Sequence, residues 1–177
     1  MKGVTEMRNG YVAAFAVGIL ILWNPLSYGE MSGATATLRD GEMKEVGTAT
    51  FSESSGGVMI TLKVHDLPPG THAFHVHSEG KCDPPDFKSA GSHFNPYGKK
   101  HGLKNPEGSH AGDLQNILVG EDGSTEVEVM AHSVTLSEGD HASVLGKSLI
   151  IHVASDDEMT DPAGNAGARM ACGVIEK

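Results

Sequence analysis

Basic residues are scarce in this chain of 177 amino acids: 13 Lys and Arg stand against 23 Asp and Glu, a formal charge of −10. A surface of that sign repels a phosphate backbone, which argues against nucleic acid as a partner. Aromatic residues make up only 5%. No long amphipathic helical pattern is present, so a helical bundle is disfavoured. No apolar run approaches the roughly 20 residues that a membrane-crossing helix needs. The two cysteines, Cys82 and Cys172, allow a single internal bridge. The length suits one domain with a real core and leaves little for a second. What is abundant is glycine, at 23, and histidine, at 10. Many glycines without a disordered composition indicate a turn-rich, all-β domain. Many histidines point toward metal chemistry.

The first residues read as an address. Lys2 and Arg8 precede 13 apolar residues over positions 11–23, followed by Asn24-Pro25 and small residues around Ser27 and Gly29. This is the anatomy of a secretory signal peptide over residues 1–29, with a permanent anchor as the alternative. No cysteine lies there to carry a lipid. The remaining domain, 30–177, would fold under oxidising conditions, in which Cys82 and Cys172 pair rather than stay thiols.

Alternation is clear over residues 58–64, where Val58, Ile60, Leu62 and Val64 share a face, and it recurs in Thr35 to Leu38 and Thr48 to Phe51. Turn signals at Asp40-Gly41, Ser55-Gly56-Gly57, Pro68-Pro69-Gly70, Glu121-Asp122-Gly123 and Glu138-Gly139-Asp140 have hairpin spacing. Residues 148–154 form a β-branched run containing His152, and Gly173-Val174-Ile175 is placed to close a last strand. A sandwich or barrel follows. Residues 78–116 lack alternation and are rich in Gly, Pro, Lys, Asp and His. Loops of that length usually carry function.

His75 and His77 stand two apart in an expected strand, so both leave the same face and can converge on one ion. Taken alone, such a pair is as compatible with ordinary histidines as with ligands. The long loop adds His93, His101, His110 and Asp113, donors of the N and O types that suit zinc and copper, and His152 follows on a late strand.

Five blocks then stand in a telling order: Phe74-His75-Val76-His77, Gly91-Ser92-His93-Phe94-Asn95-Pro96, Lys100-His101-Gly102, His110-Ala111-Gly112-Asp113-Leu114 and Ala168-Arg169-Met170-Ala171-Cys172-Gly173-Val174-Ile175. From about Ala34 onward the chain resembles the copper/zinc superoxide dismutases of bacteria. The resemblance implies an all-β, Greek-key β-barrel or sandwich of immunoglobulin-like type with long metal-binding and channel loops. It implies one copper per subunit on His75, His77, His93 and His152. One zinc would sit on His93, His101, His110 and Asp113. His93, shared by both, would be an imidazolate bridge and a proton donor. Asp156 would join the two sites by hydrogen bonds, and Arg169 would attract and hold the superoxide anion. The two cysteines match the family's bridge. The implied activity is dismutation of superoxide to dioxygen and hydrogen peroxide, in the bacterial periplasm or after secretion. Dimerisation surfaces differ between branches of the family, so the resemblance allows a homodimer without specifying one.

His72 reads as a hydrogen-bonding residue behind the copper strand, and His65, His132 and His141 as ordinary histidines. The stretch 156–168 holds four acids and no lysine, a departure from family members that carry guiding lysines there. Asp157, Glu158 and Asp161 read as a solvated acidic loop, and help for Arg169 is expected from Lys81, Lys99, Lys100 or Lys147. Two rival functions are weaker. A copper-storage domain would tolerate gaps in the ligand set, and none of the seven positions is empty. A zinc hydrolase would need an open zinc position, which four protein ligands close.

Overall fold

A computed structural model describes residues 33–177 together with Met1 and Gly3. The expected leader over residues 1–29 otherwise lies outside the described residues. Among the described residues nine strands run in chain order: β1 Gly33–Asp40, β2 Glu45–Ser54, β3 Gly57–Val64, β4 Gly70–His72, β5 Phe74–His77, β6 Ile117–Val119, β7 Thr125–Ala131, β8 Ser148–His152 and β9 Arg169–Val174. Seven form one antiparallel sheet in the order β5-β8-β9-β1-β2-β3-β7, and β4 pairs with β6 separately. Among the described residues no helix is long and apolar enough to cross a membrane.

Period-2 patterning builds the core. Ala34, Ala36 and Leu38 of β1, Ala49 and Phe51 of β2, and Val58, Ile60, Leu62 and Val64 of β3 are all buried, while the threonines and lysines between them face out. β1 to β3 are consecutive hairpins, turned at Asp40-Gly41 and at Ser55-Gly56 as the sequence suggests. The Glu138-Gly139-Asp140 signal falls instead inside the connection from β7 to β8. β9 starts at Arg169, earlier than the Gly173 expected from the sequence, because it pairs with all of β8 and then with the end of β1.

β5 and β8 form the sheet edge that carries the site. All four residues of β5 are buried: Phe74 and Val76 pack into the core, and His75 and His77 project from the other face. The free edge of β5 is covered by the long loop. Val76 donates its N–H to Gly112 O and accepts from Phe94 N–H, at 2.9 and 2.8 Å, and Gly112 donates in turn to Phe94 O at 2.8 Å. The backbones approach so closely at Gly112 that a Cβ there would collide with the Val76 carbonyl oxygen. This stitching brings His93 opposite His77 and Asp113 opposite His75.

Candidate metal centre

Four imidazoles meet beside β5. His75 and His77 come from the strand, His93 from the stitched loop, and His152 from the end of β8, two residues beyond Ile150, the partner of His75, and therefore on the same face. All are buried, and each offers one nitrogen within 4.8 Å of the others.

The opposite nitrogen of each ring faces an acceptor, which fixes the tautomer. His75 Nε2 donates to Asp156 Oδ2 at 2.7 Å, and His77 Nδ1 to Gly91 O at 3.0 Å. His93 Nδ1 donates to Asp113 Oδ1 at 2.9 Å, and His152 Nδ1 to Gly167 O at 3.2 Å. The inward atoms, His75 Nδ1, His77 Nε2, His93 Nε2 and His152 Nε2, are buried with no hydrogen-bond partner. Four converging lone pairs without a donor are costly unless a cation receives them. This donor set fits a transition-metal ion, and all-imidazole ligation suits copper.

Burial also keeps His77, His93 and His152 neutral, which is the ligating form. It pushes His77 down to about 2, with His93 contributing, and His152 down to about 3, with help from His75. Burial outweighs the pull of Asp113 and brings His93 to about 4.

A second cluster shares His93. The Nδ1 atoms of His93, His101 and His110 lie 2.9, 3.0 and 3.2 Å from one atom, Asp113 Oδ1. The other oxygen of Asp113 accepts the N–H groups of Gly102 and His110, both at 2.9 Å. Burial alone would raise the Asp113 carboxyl, but hydrogen bonds from His101 and His93 and the close approach of the His110 ring win and hold it far below the usual carboxylate range. His101 is drawn up to about 9: its burial is outweighed by hydrogen bonds to Asp113 and Asp156. Three nitrogens and one carboxylate oxygen, all buried, are a closed set of the zinc type, and the unpartnered His110 Nδ1 again awaits a cation. Asp156 lies between the clusters, with Oδ2 on His75 and Oδ1 3.0 Å from His101 Nε2.

The bridge between Cys82 and Cys172 joins the loop after β5 to β9. That loop presents two carbonyls to Arg169, whose Nη1 donates to Phe87 O and Nη2 to Gly91 O, both at 2.5 Å. Gly91 O thus holds Arg169 and His77 together. Arg169 lines a cleft of about 580 Å³ with Pro85, Asp86, Lys88, Gly167 and Ala168. The lysine at this mouth is Lys88, paired with Asp86, and not one of the four expected from the sequence. Of those, Lys100 lies 3.7 Å from Asp161 and Lys147 sits over the Phe94 ring.

The remaining histidines separate cleanly. His72 is buried with ring nitrogens 3.0 Å from His152 O and 2.8 Å from Pro68 O, whereas His65, His132 and His141 are exposed. The acidic loop is more structured than a solvated stretch. Glu158 pairs with Lys104 at 2.8 Å, Asp161 accepts the His101 N–H, and Asp157 accepts from Met159, Thr160 and Asn165. Asn116, which no sequence pattern singles out, binds the backbone of Asp156.

Comparison with known proteins agrees with this arrangement. The family model described as copper/zinc superoxide dismutase (SODC) matches residues 45–175. A relative from Aquifex aeolicus named superoxide dismutase (Cu-Zn) 2 is 49% identical over 153 residues, covering 84% of this chain and 90% of its own length. A Cu-Zn superoxide dismutase of Caulobacter vibrioides is 39% identical over 93% of this chain and 97% of its own. Among solved structures, the Cu/Zn superoxide dismutase from Brucella abortus superposes with a TM-score of 0.68 at 33% identity, covering 82% of this chain and all of its own. A mutant of a SOD-like protein from Bacillus subtilis reaches 0.78 at 42% identity over 81% of this chain and 97% of its own. The all-β architecture is therefore the Greek-key barrel of these proteins, and the chain belongs to the copper/zinc superoxide dismutase family.

Proposed function

We propose that the protein dismutates superoxide to dioxygen and hydrogen peroxide, with copper held by His75, His77, His93 and His152 and zinc by His93, His101, His110 and Asp113. The observation that carries this reading is His93, one buried imidazole whose two nitrogens face two different ligand sets. When bound, copper supplies the alternation between Cu(II) and Cu(I) that oxidises one superoxide and reduces the next, while zinc supplies fixed positive charge without redox change.

The chain's own residues do the rest. Arg169, fixed by Phe87 O and Gly91 O, attracts the anion into the cleft and orients it. His93 takes and gives a proton at Nε2 while Nδ1 stays fixed in the second cluster, which supplies one of the two protons that hydrogen peroxide needs. Asp156 holds His75 and His101 in the tautomers that leave their Nδ1 atoms facing the two clusters.

We also propose that residues 1–29 are a signal peptide and that the domain 30–177 acts in the periplasm or outside the cell. Lys2, Arg8 and the apolar run support this, as does a disulfide that requires oxidising surroundings. The test is the rate of superoxide decay by protein loaded with copper and zinc, with metal analysis of the same sample. One copper and one zinc per chain with fast, copper-dependent decay is the expected result. Full metal content without acceleration would mean a copper-binding domain and overturn the enzymatic reading.

A further inference from the structure

Asp156 reaches both clusters, yet it lies on the loop between β8 and β9 rather than in a strand. A carboxylate placed by a loop can link two histidines only if its backbone and side chain are both fixed. Two residues outside the ligand sets meet that need. Asn116, three positions after Asp113, accepts the Asp156 N–H on Oδ1 at 2.7 Å and donates from Nδ2 to Asp156 O at 2.9 Å. One amide side chain thus pairs with both polar groups of one residue, as a neighbouring strand would. On the other side Gly164 closes over the carboxylate. It is buried in the left-handed region at φ +58°, where a Cβ would collide with both Asp156 Oδ1 and His101 Nε2. The turn that delivers it is tied down by Gly164 N–H to Thr160 O at 2.7 Å and Asp157 N–H to Gly164 O at 2.9 Å.

We propose that Asn116 and Gly164 are positioning residues: together they seat the Asp156 carboxylate between His75 and His101, so that the geometry of each metal cluster depends on the other. Asn116 also ties the segment that supplies Asp113 to the segment that supplies Asp156, so the acid of the second cluster and the acid linking the two move as one unit. The inference rests on the metal reading above and adds to it the residues that enforce the coupling.

The test uses the purified chain and zinc alone, with the dissociation constant read by competition with a chromogenic chelator. The visible spectrum of cobalt placed in the second cluster reports ligand geometry. Asn116→Ala is expected to raise the zinc dissociation constant about 10- to 100-fold, the usual cost of losing a partner that orients a ligand, and to shift the cobalt bands. Val46→Ala, a buried substitution on β2, whose neighbours β1 and β3 carry no ligand residue, controls for general destabilisation: it lowers the melting temperature of the metal-free chain and leaves zinc affinity and cobalt spectrum unchanged. Gly164→Ala, which keeps the amide clamp but crowds the carboxylate, is expected to weaken zinc by the same order, and it decides the matter if Asn116→Ala does not fold. Wild-type zinc affinity and cobalt spectrum in both variants would overturn this inference and leave the metal reading standing. A wild-type chain that takes up neither ion would overturn both.

Discussion

Replacing Arg169 with Ala leaves the cleft only Lys88, whose charge is offset by Asp86, and the effect can be worked from Coulomb's law. An anion about 5 Å from a unit positive charge gains about 0.8 kcal/mol in water and about 3 kcal/mol at an effective dielectric of 20, a cleft lying between these limits. At 1.4 kcal/mol per factor of ten, the second-order rate for superoxide should fall by about 4- to 200-fold. The salt dependence should change as well. In the wild type the local cation dominates within a Debye length, about 8 Å at physiological ionic strength, so the rate should fall as salt is added. Without Arg169 the field is that of a chain with 23 acidic residues, and added salt should screen repulsion and leave the rate flat or rising. Metal content should not change, because Arg169 hydrogen bonds to carbonyls and to no ligand side chain. The assay is superoxide decay after rapid generation, across ionic strengths, on samples with measured copper and zinc. A variant with wild-type rate and wild-type salt slope would remove Arg169 from substrate capture.

Other predictions follow from the same structure. The Cys82→Ser, Cys172→Ser double variant opens a loop of 90 residues and should lose about 4 to 5 kcal/mol of stability on the chain-entropy account, read by denaturant unfolding; a loss below about 1 kcal/mol would contradict it. Asp113→Ala should empty the second cluster while copper remains on the first, as metal analysis after dialysis would show; full zinc retention would exclude Asp113 as a ligand. Hydrogen bonds from Thr160, Met159 and Asn165 hold the exposed Asp157 carboxyl down at about 2. Its contribution to loop order is therefore complete above the ordinary carboxylate pKa of about 4 and is lost as pH falls toward about 2. Amide exchange at Met159 and Thr160 should accelerate across that window, and a flat profile would rule the contribution out.

The sequence exposes some parts of this molecule far better than others, for physical reasons. β3 was legible because Val58, Ile60, Leu62 and Val64 alternate on a half-buried sheet. β7 has the same signature in Val127, Val129 and Ala131, alternating with Glu126, Glu128 and Met130, and was legible in principle. β4 and β6, at three residues each, are too short to show a period and exist only through their pairing. The ligand histidines stand out because their types and local blocks are rare. Asn116 does not: an asparagine in a loop signals a turn, and its partner Asp156 is 40 positions away. Lys88 reaches the cleft only because the disulfide loop turns back past Arg169, a path that no local pattern encodes.

The ligands run from His75 to His152, and the edge strand that carries the first two is held by β8, which is in turn held by β9 at the end of the chain. No N-terminal portion of the protein that stops short of β8 can complete the first cluster, which needs His152. Metal acquisition is thereby a late event in the life of the molecule, a check that the last strand has docked. A chain carried across a membrane in extended form would arrive empty and take both ions from its destination, so the metals it finds there, rather than those where it is synthesised, would decide what it becomes.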